Sequence, residues 1–130
     1  MGGAIFFVNW AELQRVAEAE IKATLRSLPS HLKARVERLP ITLETVPNAE
    51  LIADNVEPDT LGLFVGEPFP DGEGMATPLP PQIILFLENL WDFAAGDAAI
   101  YREEIRITLL HELGHYLGLN ELDLEDRGLD

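Results

Sequence analysis

The sequence predicts an α+β fold in which helices pack against a small β-sheet. Three observations support this class. Apolar residues recur at helical spacing near both ends of the chain, short β-type segments lie between those ends, and no repeat or linker divides the sequence. A length of 130 residues suits one hydrophobic core. We therefore expect residues 1–130 to form a single domain.

The first element is predicted to be a helix that Asn9 caps, with Glu12 at the third position of a capping box. Pro29 ends this helix, and residues 30–39 are expected to form a second one before Pro40. The first helix carries one apolar stripe, made of Trp10, Leu13, Ala17, Ile21, Leu25 and Leu28.

Three strands are predicted in the middle of the chain. Ile41–Val46 and Leu61–Gly66 show β-type composition, with a turn or short helical stretch between them. Gln82–Leu87 is almost continuously apolar, which predicts a strand buried on both faces. The glycine- and proline-rich residues 66–81 are expected to form a loop at a rim or lid. Residues 88–96 are expected to be irregular or weakly helical.

Charge and composition narrow the function classes. The formal net charge is −14, and no Lys or Arg occurs from Ile41 to Tyr101. The electrostatic field of this negative charge repels phosphate backbones and anionic lipids, so nucleic acid and membrane surfaces are not expected as partners. The chain has no cysteine, so a metal would need His, Asp or Glu ligands. No export signal is evident, and a cytoplasmic location is expected.

The last long helix is predicted to begin at about Asp97 and to end near Leu117. His111 and His115 lie about 6 Å apart along such a helix and about 40° apart around it, so both imidazoles can converge on one zinc ion. Glu112 lies at the edge of the same face, where it can act as a general base on a water beside the ion.

A catalytic zinc site usually has a third protein ligand, and Glu121 is the candidate. Gly118 supplies the turn that Glu121 needs, because glycine freely adopts the left-handed conformation at a helix C-terminus. The complete spacing is H-E-x-x-H-x-x-G-x-x-E. Two histidines and a glutamate buried without partners in an apolar core would be costly, which favours a metal site.

The stretch HELGHYLGLNELD, together with the upstream LGLFVGEP and LPPQIILF, resembles the small bacterial zincin-like metallopeptidases. The resemblance covers roughly residues 40–130. It implies a minimal zincin fold with a small mixed β-sheet and an active-site helix. It also implies zinc bound by His111 and His115, with Glu112 as general base. By the same resemblance, a peptide or protein substrate would dock along the strand Gln82–Leu87.

The sequence departs from its relatives at the third ligand. The family usually has aspartate where Glu121 stands, so Asp123 is an alternative ligand. Both methionines precede the motif, so the methionine turn of metzincins is not expected, and the lower half of a protease cleft is expected to be missing. A zinc-containing peptide-binding module with little turnover is therefore the alternative to a metallopeptidase. The oligomeric state is left open.

Four other residues have side chains that could take part in binding or catalysis. His31 is expected to be a surface or capping residue, and Tyr116 to pack rather than react. Tyr101 could donate to an oxyanion only if its end of the helix folds over the site. Arg127 is expected to form a structural ion pair with the C-terminal acids.

Overall fold

The computed structural model describes residues 9–66 and 81–118. Two helices come first, α1 (Trp10–Arg26) and α2 (Ser30–Val36), and then β1 (Ile41–Glu44). The middle elements are α3 (Ala49–Ala53), β2 (Gly62–Val65) and β3 (Gln82–Phe86). The chain continues with α4 (Leu87–Phe93) and α5 (Ala98–Leu117). The predicted α+β class is confirmed. Most of the predicted loop, and the predicted ligand Glu121, lie outside the described residues.

Both long helices begin where the capping signals predict. The Asn9 side chain accepts a hydrogen bond of 2.9 Å from the backbone N–H of Glu12. The Glu12 carboxylate lies 3.2 Å from Arg15. Asp97 caps α5 by accepting from the N–H groups of Ala99 and Ile100. Local sequence therefore sets the start of each helix.

The sheet is mixed, with the order β1-β3-β2 among the described residues. β1 runs parallel to β3, and β2 runs antiparallel to it. Ile83 to Phe86 are all buried, as the continuous apolar run predicts. The expected strand therefore forms, although it ends at Phe86 and Leu87 already begins α4. That helix is regular, where the sequence suggested irregular or weakly helical chain.

The position of β3 corrects the expected docking strand. β3 has β1 along one edge and β2 along the other, so its main-chain N–H and C=O groups are already paired in the sheet. A peptide cannot be added along Gln82–Leu87 without displacing a neighbouring strand. Within the described part of the chain, the sheet edges belong to β1 and β2.

The core lies where α1 packs on α5 and α5 packs on the sheet. α1 contributes Leu13, Ala17 and Ile21, all buried. Tyr101 of α5 is 1% exposed, and its hydroxyl donates a hydrogen bond of 3.0 Å to the carbonyl oxygen of Leu13. This bond joins two helices that are far apart in sequence. No helix in residues 9–66 and 81–118 combines the length and the apolar character that crossing a bilayer requires.

Candidate metal centre on helix α5

The last two turns of α5 bring three possible metal ligands together. His111 and His115 are exposed, and their ring centroids lie 4.7 Å apart. One ligand atom from each histidine and one from Glu112 all lie within 4.8 Å of one another. The structure thus groups the three residues that the sequence motif singled out within the described part of the chain.

Glu112 differs from the two histidines in its burial. The residue is only 8% exposed. One of its carboxylate oxygens lies 3.1 Å from Nδ1 of His115, whose side chain is 53% exposed. A carboxylate is therefore held against one imidazole at the border between the protein interior and solvent. Such a position suits a group that must exchange a proton with a water molecule next to the histidines.

The face of α5 that carries Glu112 is directed at β2. Thr108 and Tyr116 lie one turn before and one turn after Glu112, and all three residues are buried. The Tyr116 ring contacts the Phe64 ring of β2, with 5.7 Å between centroids. Gly62, two residues before Phe64, lies directly against Thr108. Glu112 therefore occupies the interface between α5 and β2, and the histidines lie beside that interface on the exposed side.

Gly62 is a site residue that the sequence reasoning missed. A Cβ atom at this position would lie 2.5 Å from Cγ2 of Thr108 and 3.2 Å from Cδ2 of Leu85. No real Cβ packs at the shorter distance, so glycine is what allows β2 to approach α5 this closely. A glycine inside a strand does signal a close approach, and that signal was present in the sequence.

Gly118 ends α5 as the spacing predicts. Its φ of 74° and ψ of 27° are left-handed, and its N–H donates to the carbonyl oxygens of Gly114 and His115. A residue with a side chain would be strained here, whereas glycine is not. The chain thus leaves the helix axis three residues after His115. Glu121 and Asp123, the two candidate third ligands, lie outside the described residues, as does Arg127.

Both tyrosines of α5 have structural roles. Tyr101 does not act as an oxyanion donor, because it is buried in the core and its hydroxyl is bonded to Leu13. Tyr116 packs on Phe64, and its hydroxyl lies 3.4 Å from the carbonyl oxygen of Arg35. His31 is exposed on α2 and is not part of the three-residue group.

Comparison with known families agrees with this geometry. The family model of zincin-like metallopeptidases matches residues 36–129, which is more than two thirds of the chain. The chain belongs to the zincin-like metallopeptidase family. No curated protein compared with the chain matches it. For a zincin-like protein, the two imidazoles on one helix are suitable donors for a divalent cation such as zinc, with a carboxylate beside them.

Proposed function

We propose that this zincin-like protein is a zinc-dependent metallopeptidase. The observation that carries the proposal is the placement of the buried Glu112 carboxylate against two exposed imidazoles on one rigid helix. His111 and His115 would hold the ion. When bound, zinc polarises a carbonyl group and lowers the pKa of a water molecule.

Glu112 would perform the proton transfers. Its carboxylate accepts a proton as the water oxygen bonds to the scissile carbonyl carbon. It then donates that proton to the amide nitrogen as the C–N bond breaks, so that the amine leaves neutral. Burial restricts the carboxylate between the two transfers, since Thr108 and Tyr116, one turn before and one turn after Glu112, pack against β2.

Glu121 completes the ligand set in this proposal, with Asp123 as the alternative. The left-handed conformation of Gly118 supports it, because a helix that continued would carry Glu121 about 15 Å along the axis from His111. A glycine turn three residues after the second histidine lets the following residues return toward the site.

The substrate would be an extended peptide added along the outer edge of β2. Phe86 donates its N–H to the carbonyl oxygen of Leu61, which fixes the alternation of the antiparallel ladder. The N–H and C=O groups of Gly62 and Phe64 therefore point away from β3. Since β2 also packs against the Glu112 face of α5, a peptide bonded there would pass beside the proposed ion. Such strand addition is a common mode of peptide recognition.

The decisive experiment compares the zinc-loaded wild type with Glu112→Gln on a broad peptide library. We expect the wild type to cleave peptides, and the variant to retain zinc but lose cleavage, because an amide cannot accept the proton. Metal content is measured by elemental analysis, with His115→Ala expected to lose zinc and His31→Ala expected to retain it. Equal cleavage by wild type and Glu112→Gln would refute the catalytic role. Zinc binding without cleavage by either would favour the peptide-binding module.

A further inference from the structure

A second exposed surface lies at the opposite end of α5 from the histidines. In the sheet, Glu44 at the end of β1 pairs with Phe86 at the end of β3. The start of β2, Gly62, pairs with the neighbouring Leu85. The segment between β1 and β2 therefore meets α4 at this end. Two contacts join them: the N–H of Glu88 donates to the carbonyl oxygen of Thr45, and the Asn89 amide donates to the carbonyl oxygens of Pro58 and Thr60.

Exposed large apolar side chains occur in both of these contacting segments. Val46 is 41% exposed, Ile52 is 40% exposed and Phe93 is 61% exposed. Ile100, just after the start of α5, is 47% exposed. Among the described residues, only one other large apolar side chain is as open to solvent, Ile107. Single exposed apolar residues are ordinary, whereas several gathered in two contacting segments are typical of a binding surface.

The charge around these side chains has one sign. We call residues 45–60 and 88–96 the acidic cap. They contain no Lys or Arg and six acids, all exposed, namely Glu50, Asp54, Glu57, Asp59, Glu88 and Asp92. In residues 9–66 and 81–118, the ion pairs lie within α1 and α5, and none involves these six carboxylates. The cap therefore presents uncompensated negative charge around its apolar side chains.

We propose that the acidic cap is a docking surface for a polypeptide segment that carries both basic and apolar side chains. Apolar side chains of the partner would cover Ile52 and Phe93, and its Lys or Arg groups would meet the surrounding carboxylates. A second copy of this chain, with a net charge of −14, is repelled from such a surface, as is an anionic lipid bilayer.

The acidic cap is separate from the candidate metal centre. His111 lies thirteen positions after Ala98 in a helix without a break, which corresponds to about 20 Å. Docking at the cap therefore requires neither zinc nor Glu112, and the inference stands independently of the proposed peptidase activity. A partner held there would be bound to the same rigid helix that carries the histidines.

The first test uses short synthetic peptides and the metal-free full chain. A peptide of lysine and leucine is expected to bind, oligolysine to bind at least about tenfold more weakly, and a peptide of glutamate and leucine not to bind. Ile52→Ser and Phe93→Ser should each weaken binding of the lysine–leucine peptide by about tenfold. Ile107→Ser removes a similarly exposed apolar side chain outside the acidic cap, on α5, and should leave binding of the peptide unchanged. Equal losses in all three variants, or no binding by the wild type, would overturn the proposal.

The second test separates local charge from total charge. Asp54→Lys combined with Asp92→Lys reverses two carboxylates of the cap at helix C-termini, where a cation is tolerated. Glu18→Lys combined with Glu37→Lys makes the same change in net charge on α1 and beside α2. Only the first pair of substitutions should abolish binding of the lysine–leucine peptide. When the wild type is titrated with this peptide, the changes in amide chemical shift should map to Val46, Ile52 and Phe93. Equal effects of both pairs, or a dimer in sedimentation that Phe93→Ser dissociates, would contradict a basic partner at the cap.

Discussion

One carboxylate oxygen of Glu112 lies 3.1 Å from Nδ1 of His115. The two residues are three positions apart on α5, so the contact depends only on the helix and on the two side-chain rotamers. It engages one ring nitrogen of His115 and leaves the other, Nε2, for a cation. Glu112 thus has a second potential role beside proton transfer, which is to orient a ligand.

This relationship predicts a difference between two variants of Glu112. Glu112→Gln keeps an oxygen that can face the His115 ring, whereas Glu112→Ala leaves the ring without that neighbour. We expect Glu112→Ala to bind zinc about tenfold more weakly than Glu112→Gln, as is typical when a partner that orients a metal-binding histidine is removed. Competition with a chromophoric chelator measures both affinities. Identical affinities would show that the contact does not orient His115.

The third ligand can be assigned by comparing Glu121→Ala with Asp123→Ala. We expect Glu121→Ala to weaken zinc binding strongly, because it removes one of the three proposed protein ligands. Asp123→Ala should have the smaller effect, through the orientation of a ligand that it contacts. Titration of both variants against the same chelator distinguishes the two residues. If only Asp123→Ala lost zinc, the third ligand would be Asp123 and not Glu121.

The close packing of β2 on α5 predicts that Gly62→Ala is destabilising. The new Cβ would lie 2.5 Å from Cγ2 of Thr108, so the strand or the helix must shift. The cost is about 1–3 kcal/mol, the usual range for an overpacked core. Thr108→Ser removes Cγ2, and the double variant should recover much of the loss in urea unfolding. Additive effects in the double-mutant cycle would show that the two residues are not in contact.

The buried Tyr101 predicts a loss of stability at alkaline pH. Burial raises the pKa of its phenol above the ordinary value near 10. The group is protonated in both states below about pH 10, so its contribution to stability is then complete. Above that pH the unfolded chain releases the proton first, and the free energy of unfolding falls by up to about 1.4 kcal/mol per pH unit.

Tyr101→Phe isolates this effect. At neutral pH the variant should be less stable by about 1 kcal/mol, because the hydrogen bond to the Leu13 carbonyl is lost. From pH 10 to pH 11 the difference between wild type and variant should shrink, since phenylalanine has no proton to release. Urea unfolding at several pH values measures both slopes. Parallel curves through pH 11 would show that the phenol ionises equally in both states.

The features that the sequence predicted correctly are those that depend on near neighbours. Asn9 and Asp97 cap helices with their own side chains, Gly118 ends α5 by its own backbone preference, and His111 and His115 meet because one helix turn separates them. Each of these relationships spans four residues or fewer. A single segment of sequence therefore contains all the information that is needed.

The features that the sequence did not reveal depend on pairing between distant segments. The apolar run of β3 correctly predicted burial, but it could not show that β1 and β2 would flank both its edges. The close contact of Gly62 with Thr108 joins residues that are 46 positions apart in the sequence. The sequence alone allows Tyr101 to be a reactive group, and only the position of α1 shows that its hydroxyl is bonded to Leu13.

The bond between Tyr101 and Leu13 also bears on which part of the chain can fold by itself. The match to the family begins at residue 36, whereas α1 ends at Arg26. Yet α1 supplies Leu13 and accepts the hydrogen bond of a tyrosine inside the matched region. A fragment cut at the family boundary would expose the apolar side of α5 and leave a buried phenol without its acceptor. The matched region is thus shorter than the packed core, and we expect a stable fragment of this protein to include α1.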